Sequence, residues 1–168
     1  MAQERMRDGG DLDGLHTVLL TRCAMDVALL ITTDCNEFVQ RNASARAEAL
    51  AYHALLTGIL TQQQLAMLPE RYRVLGTALL SNSDVVQAAI AIGDPLSRVI
   101  ASGVAARMNR ADDALFAAAS DAARAQGWRA AHQAHESARI RLLDAQGRTG
   151  EAAALRARLQ ALYGTTAP

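Results

Sequence analysis

His132, His135 and Glu136 form the one cluster in this chain with metal-like spacing. Residues three apart share a helical face, so both imidazoles could meet one ion. Two ligands are too few to hold it. The common zinc helix spaces its His residues by four, with Glu directly after the first, and this helix has neither feature. His135 also falls on an apolar stripe. The cluster therefore reads as one His at the core edge and one at the surface, and no metal or cofactor is expected.

Cys23 and Cys35 are the other reactive pair. If both sit on one helix, their twelve-residue separation spans about 18 Å, far beyond disulfide reach. The expectation is buried free thiols in a reducing compartment. No catalytic Ser motif is present in the sequence, which leaves only a triad assembled in space. Phosphate-binding glycine loops are absent. Asp112 and Asp113 stand at a helix start, where the dipole favours them. Nothing marks an enzyme.

The basic groups are all Arg, seventeen of them, against seventeen acids, for a net charge of zero. No global field argues for nucleic acid or an acidic membrane. Arg139, Arg141, Arg148, Arg156 and Arg158 give the C-terminal region a basic character, but acids lie among them and no aromatic platform accompanies them. Nucleic acid is not an expected partner. Up to Asp84 there are seven Arg and ten acids; beyond it, ten Arg and seven acids. Arg in place of Lys, with abundant Ala, reads as a high-GC coding bias of bacterial type.

These side chains must be carried by helices. Ala favours helix, and no run alternates with the period of a strand. Residues 1–10 are polar and end in paired glycines, as a disordered arm would; they lack the apolar run of a signal peptide. The apolar stretch from Val18 to Ile31 is too short for a membrane span and carries Arg22 and Asp26. A cytoplasmic protein is expected, with one helical domain over 11–164 and a tail at 165–168. Val18 to Ile31 is apolar enough to be a central helix. Whether 12–40 holds one helix or two stays open, because Thr32-Thr33 weakens a helix without ending it. Thr61 to Gln64 reads as a capping box, Gly76 as a point of close approach, and Gly93-Asp94-Pro95 as a break with Pro95 opening the next helix.

Ala125-Gln126-Gly127 and Ala145-Gln146-Gly147 repeat one tripeptide twenty residues apart. A Gly after a run of helix formers is a C′ residue in the left-handed conformation. The short turns make successive helices antiparallel neighbours. Between them Trp128, Ala131, His135, Ala138 and Leu142 form one stripe; after them, Ala152, Leu155, Leu159 and Leu162 form another.

The stretch Asp144 to Leu155 resembles the entry to the second helix of a tetratricopeptide repeat, with Gly147 in the turn and small Ala152 five residues on. Gly150 stands where that family has an aromatic, and Leu159 where it prefers a second Ala. The resemblance is best over 109–163. Together with the composition and the helical pattern along the chain, the resemblance gives an all-α chain of about eight helices, bundle-like at first, leading into a right-handed stack of antiparallel hairpins. It further implies a concave groove for a protein partner's segment, lined by Tyr72, Arg98, Arg107, Trp128 and His132. An adaptor, chaperone or regulatory subunit is the function expected, with a homodimer as a further option. The alternative is an all-helical sensory domain enclosing a small molecule in an apolar pocket near Arg22, Asp26 and His53.

Overall fold

The structure is a computed structural model that describes residues 12–164. The expected arm and tail lie outside the described residues. Those residues are all-helical, with no strand among them. In chain order the helices are α1 (Leu12–Ala28), α2 (Asn36–Val39), α3 (Ala47–Thr57), α4 (Glu70–Leu80), α5 (Val85–Ile90), α6 (Pro95–Arg107), α7 (Asp113–Ala125), α8 (Arg129–Ala145) and α9 (Thr149–Tyr163). Single 3-10 segments at Asn42–Ser44 and Gln62–Met67 join α2 to α3 and α3 to α4. No helix among the described residues is long and apolar enough to cross a membrane.

The question left open for 12–40 is settled at Leu30, which takes a left-handed φ of 58°. Its amide donates to the Val27 carbonyl, and the Ile31 amide reaches back to Asp26 at 2.9 Å. That is the hydrogen-bond pattern of a Schellman stop, built here on a residue without glycine's freedom. The chain then runs without helix from 31 to 35 and turns back on α1. This reversal corrects the expectation of free thiols. Cys35 lies beside Cys23 with their Cα atoms 5.4 Å apart, and the two are disulfide-bonded. Both are buried, as expected, but the 18 Å estimate assumed one continuous helix. Cross-linking a loop of this length stabilises the fold by about 3 kcal/mol in the chain-entropy picture.

The centre of the fold is α6 rather than the more apolar α1. It packs against α1, α3, α4, α5 and α7, and every residue from Val99 to Ala105 is buried. Its small residues, Ala101, Ser102, Gly103 and Ala105, let the neighbouring backbones come close. A Cβ on Gly103 would overlap the Val27 carbonyl oxygen and stand 2.7 Å from its carbon. By contrast α1 is buried along Leu15, Leu19, Cys23 and Val27 but leaves Thr17, Thr21 and Met25 exposed. Gly76 has the expected role: a Cβ there would lie 2.7 Å from Leu68 and 2.8 Å from Leu65.

The repeated tripeptides behave as read. Gly127 and Gly147 both have φ of 73°. Gly127 donates to Arg124 and Trp128 to Ala123; Gly147 donates to Asp144 and Arg148 to Leu143. These paired bonds satisfy the last carbonyls of α7 and α8. They fold α8 onto α7, and α9 onto α8. The core divides at this point. One cluster runs from Leu15 to Ala131; a small second one holds Ile140, Leu143 and Ala152, with Leu155 and Leu159 beside it. The capping box is present at Thr61 and Gln64. Asp94 caps α6 ahead of Pro95, accepting from the Ser97 amide at 2.8 Å. Asp112 caps α7, accepting from the Leu115 amide at 2.8 Å.

Candidate functional site

One face of α1 forms the floor of an open cleft of about 860 Å³. Asp13, His16, Thr17, Leu20, Thr21 and Ala24 recur at steps of three and four along it, so they form one stripe. The opposite wall comes from three helix beginnings: Arg46, Ala49 and Tyr52 at α3, Pro69, Arg71 and Tyr72 at α4, and Leu96, Ser97 and Ile100 at α6. Leu20, Ala24, Ala49 and Ile100 make the interior apolar. Met25 and Leu96 stand at the lip, 43% and 36% exposed.

The helix beginnings bring positive dipole ends to this wall, and acids offset them. Glu48 lies in the first turn of α3 and Glu70 in that of α4. Hydrogen bonds from Ser97 hold the Asp94 carboxyl below the usual carboxylate range. Arg46 pairs with Asp13 across the rim. Arg71 stands over the Tyr72 ring, 5.3 Å from its centroid, and that ring stacks on Tyr52 at 5.6 Å. Burial pushes the Tyr52 phenol up, with Tyr72 beside it adding to the effect. Charges of both signs line the cleft, so its recognition rests on apolar insertion and a polar rim rather than on a net field.

His16 couples this floor to the α1–α3 connection. Its Nε2 lies 2.8 Å from the Arg41 carbonyl. A carbonyl can only accept, so Nε2 carries the proton. Phe38, 1% exposed, is wedged between the His16 ring at 5.7 Å and the His53 ring at 5.0 Å. Burial lowers the pKa of His53, opposed by its bond to the Asp34 backbone.

A second polar cluster is closed to solvent. Ser120 of α7 is fully buried, with His132 and Glu136 of α8 at 2% and 5% exposure. Ser120 Oγ donates to Glu136 Oε1 at 2.6 Å and lies 2.8 Å from His132 Nδ1. The carboxylate takes the single hydroxyl proton, so His132 Nδ1 is the donor to Ser120 Oγ. In a hydrolytic triad the His stands between Ser and acid and receives the Ser proton. Here Ser stands between His and acid, and its proton points away from the imidazole. The cluster is a polar link between two helices. Arg139 extends it, donating from Nε to Asp113 at 2.8 Å and from Nη1 to Glu136 at 3.2 Å. Burial works against the Arg139 charge, but the bonds to Asp113 and the charge of Glu136 outweigh it and raise its pKa.

Of the five residues expected to line a groove, Tyr72 alone lines this cleft. Arg98 is half-buried and donates to the Ile92 carbonyl at 3.0 Å. Arg107 is also half-buried. Trp128 follows the Gly127 turn and packs against the main core. His132 is enclosed by Ser120 and the Tyr163 ring. Among the described residues no hydrogen bond, ion pair or ring contact joins any two of the five. The five are thus not gathered at this cleft, and His132 is buried.

His132 and His135 likewise serve different neighbours. His132 meets Tyr163, whereas His135 meets Phe116 at 6.0 Å and lies 2.9 Å from the Ala131 carbonyl. Burial lowers the His135 pKa. No group of three or more potential metal-binding side chains occurs among the described residues. Arg22, Asp26 and His53, the residues of the expected apolar pocket, do not line the cleft. Arg22 is exposed and pairs with Glu37 at 2.8 Å.

Sequence reasoning missed His16, Tyr52, Arg71 and Leu96 as cleft residues. The polar and small members of the α1 stripe were a signal, because Asp13, Thr17, Thr21 and Ala24 interrupt an otherwise apolar helix on one side. No protein-family model matches the chain, and no curated protein or solved structure matches it significantly.

Proposed function

We propose that this chain is a non-enzymatic helical interaction module, an adaptor, chaperone or regulatory subunit, whose cleft receives an amphipathic segment of a partner protein. The observation that carries the reading is the cleft's form. It is open and apolar inside, with Arg46 and Arg71 exposed at its edge and the buried Tyr72 ring, stacked on Tyr52, in its wall. Large apolar side chains of a partner would insert between Leu20, Ala24 and Ile100. The α1 stripe from Asp13 to Met25 runs about 18 Å, some three turns of a docked helix. A sensory pocket would instead be closed over its ligand.

The tetratricopeptide-like reading of the C-terminal helices is part of this proposal. Its support is the pair of Gly turns and Ala152, fully buried where the family places a small residue. In this view α7, α8 and α9 are stacked scaffold, and the partner docks in the first half. Cytoplasmic residence belongs to the proposal only if the Cys23–Cys35 bond is made and broken there, because disulfides do not persist in reducing compartments.

The test is selection of random peptides of 12–16 residues on the full chain by display. Met25→Glu and Leu96→Glu change exposed lip residues and should leave the melting temperature unchanged. Each should weaken a selected peptide at least tenfold, about 1.4 kcal/mol. Peptides indifferent to both substitutions would remove the cleft from the proposal, as would a selection that enriches nothing. Concentration-dependent mass in light scattering, abolished by the lip substitutions, would assign the cleft to a second copy of the chain.

A further inference from the structure

We infer that the Cys23–Cys35 disulfide is a redox clasp that sets the shape of the cleft through the segment from Ile31 to Arg46. The peptide-binding arm of the test rests on the cleft reading above; the exchange arm does not.

Beyond the Ile31 amide bond to Asp26, five further ties among the described residues join this segment to α1. The disulfide holds Cys35. Glu37 pairs with Arg22. Phe38 fills the space between His16 and His53. The Arg41 carbonyl accepts from His16, and Arg46 pairs with Asp13. Three of these ties end on residues at or beside the cleft: His16 and Asp13 line it, and Arg46 forms its rim. The segment is thus a wall brace for the site.

Without the covalent tie, little secondary structure would hold the brace. Its helical pieces are Asn36–Val39 and Asn42–Ser44, four and three residues, too short to persist alone. The Arg22–Glu37 and Arg46–Asp13 pairs are solvent-exposed and contribute little. Cys35 itself sits at φ of 56°, a left-handed conformation that a non-glycine residue keeps only when its surroundings impose it. Reduction leaves Phe38 as the main anchor, and movement of Phe38 frees His16 and shifts Arg46.

The chemistry is thiol–disulfide exchange with a dithiol. A thiolate of the dithiol attacks Cys35 Sγ, and Cys23 Sγ leaves and takes up a proton. The dithiol's second thiolate then attacks its own sulfur in the mixed disulfide, releasing Cys35 as a thiol. The reductant ends as a disulfide, and two electrons and two protons end on the protein. Cys35 is the sulfur attacked because exposed Asp34 and Asn36 flank it, so local opening of the segment uncovers it.

The experiment compares the oxidised full chain with the same chain reduced by dithiothreitol, redox state being verified by thiol alkylation and mass. Amide hydrogen exchange is read over 31–46 and over the cleft residues of α1 and α3. Affinity is read with the display-selected peptide. Reduction should speed exchange over 31–46 at least tenfold, extend to His16 and Tyr52, and change the peptide Kd at least fivefold. Reoxidation should restore all three. The Cys23→Ala, Cys35→Ala double variant should match the reduced protein in either condition, with helical circular dichroism retained. Equal protection in both states overturns the clasp. So does a loosened segment with unchanged cleft exchange, or with unchanged peptide affinity. If exchange changes as expected while no peptide binds, the clasp stands and the partner-segment reading fails.

Discussion

Gly103 of α6 lies so close to Val27 of α1 that a methyl group there would overlap the Val27 carbonyl oxygen. Mid-helix Gly→Ala normally stabilises by about 1 kcal/mol through helix propensity. Here the sign should reverse. Gly103→Ala must push the α1 and α6 backbones apart in the centre of the core, and overpacking of this kind costs about 1–3 kcal/mol. Gly93→Ala, with nothing within 4 Å of the added carbon, is the control and should stay within about 0.5 kcal/mol. Urea unfolding of both variants decides it. A neutral Gly103→Ala would mean that α1 and α6 do not meet in this register.

Acid should weaken the fold through His53 and His135. Burial lowers both pKa values in the folded state, and the ordinary value is about 6.5. Above that pH both rings are neutral whether the chain is folded or not, and their contribution is fully present. Below it the unfolded chain takes up protons that the native chain refuses, so stability is lost as pH falls toward the folded pKa values. Each refused proton is worth up to about 1.4 kcal/mol per pH unit. His53 should give less, because it is only partly buried and solvent screens it. His135→Gln should flatten the dependence of the urea midpoint between pH 7.5 and 5.5. An unchanged slope would show that His135 accepts its proton while buried.

The link between Ser120 and Glu136 should be cooperative. Ser120→Ala removes an acceptor from His132 and a donor from Glu136 in a closed site, at a cost of about 1–3 kcal/mol. Glu136→Gln also disturbs Arg139. If the residues act as one network, the double variant should cost less than the sum of the singles by about 0.5–3 kcal/mol. Strict additivity in a double-mutant cycle would reduce the cluster to independent contacts.

Much of the architecture was legible in local patterns. Both AQG turns, the Thr61 capping box, the Asp94-Pro95 helix start and the close approach at Gly76 follow from backbone conformation and short-range hydrogen bonding, and the structure has all of them. The stop at Leu30 was not legible. A Leu in the left-handed region has no local preference for it; long-range packing imposes it. The disulfide depends on that stop and so was out of reach as well.

The candidate site was less legible still. Tyr72 was anticipated, but its partners in the cleft come from α1, α3 and α6, as much as 59 residues away in sequence. The sequence by itself determined the all-helical class, the helix-ending glycines and the antiparallel order of α7, α8 and α9, because these rest on interactions within a few residues. Only the tertiary structure decided that α6 is central, that Cys23 meets Cys35, that Ser120 meets His132 and Glu136, and where the cleft opens. Those depend on which helix faces meet across the core. Periodicity defines a face, but it does not name the face opposite.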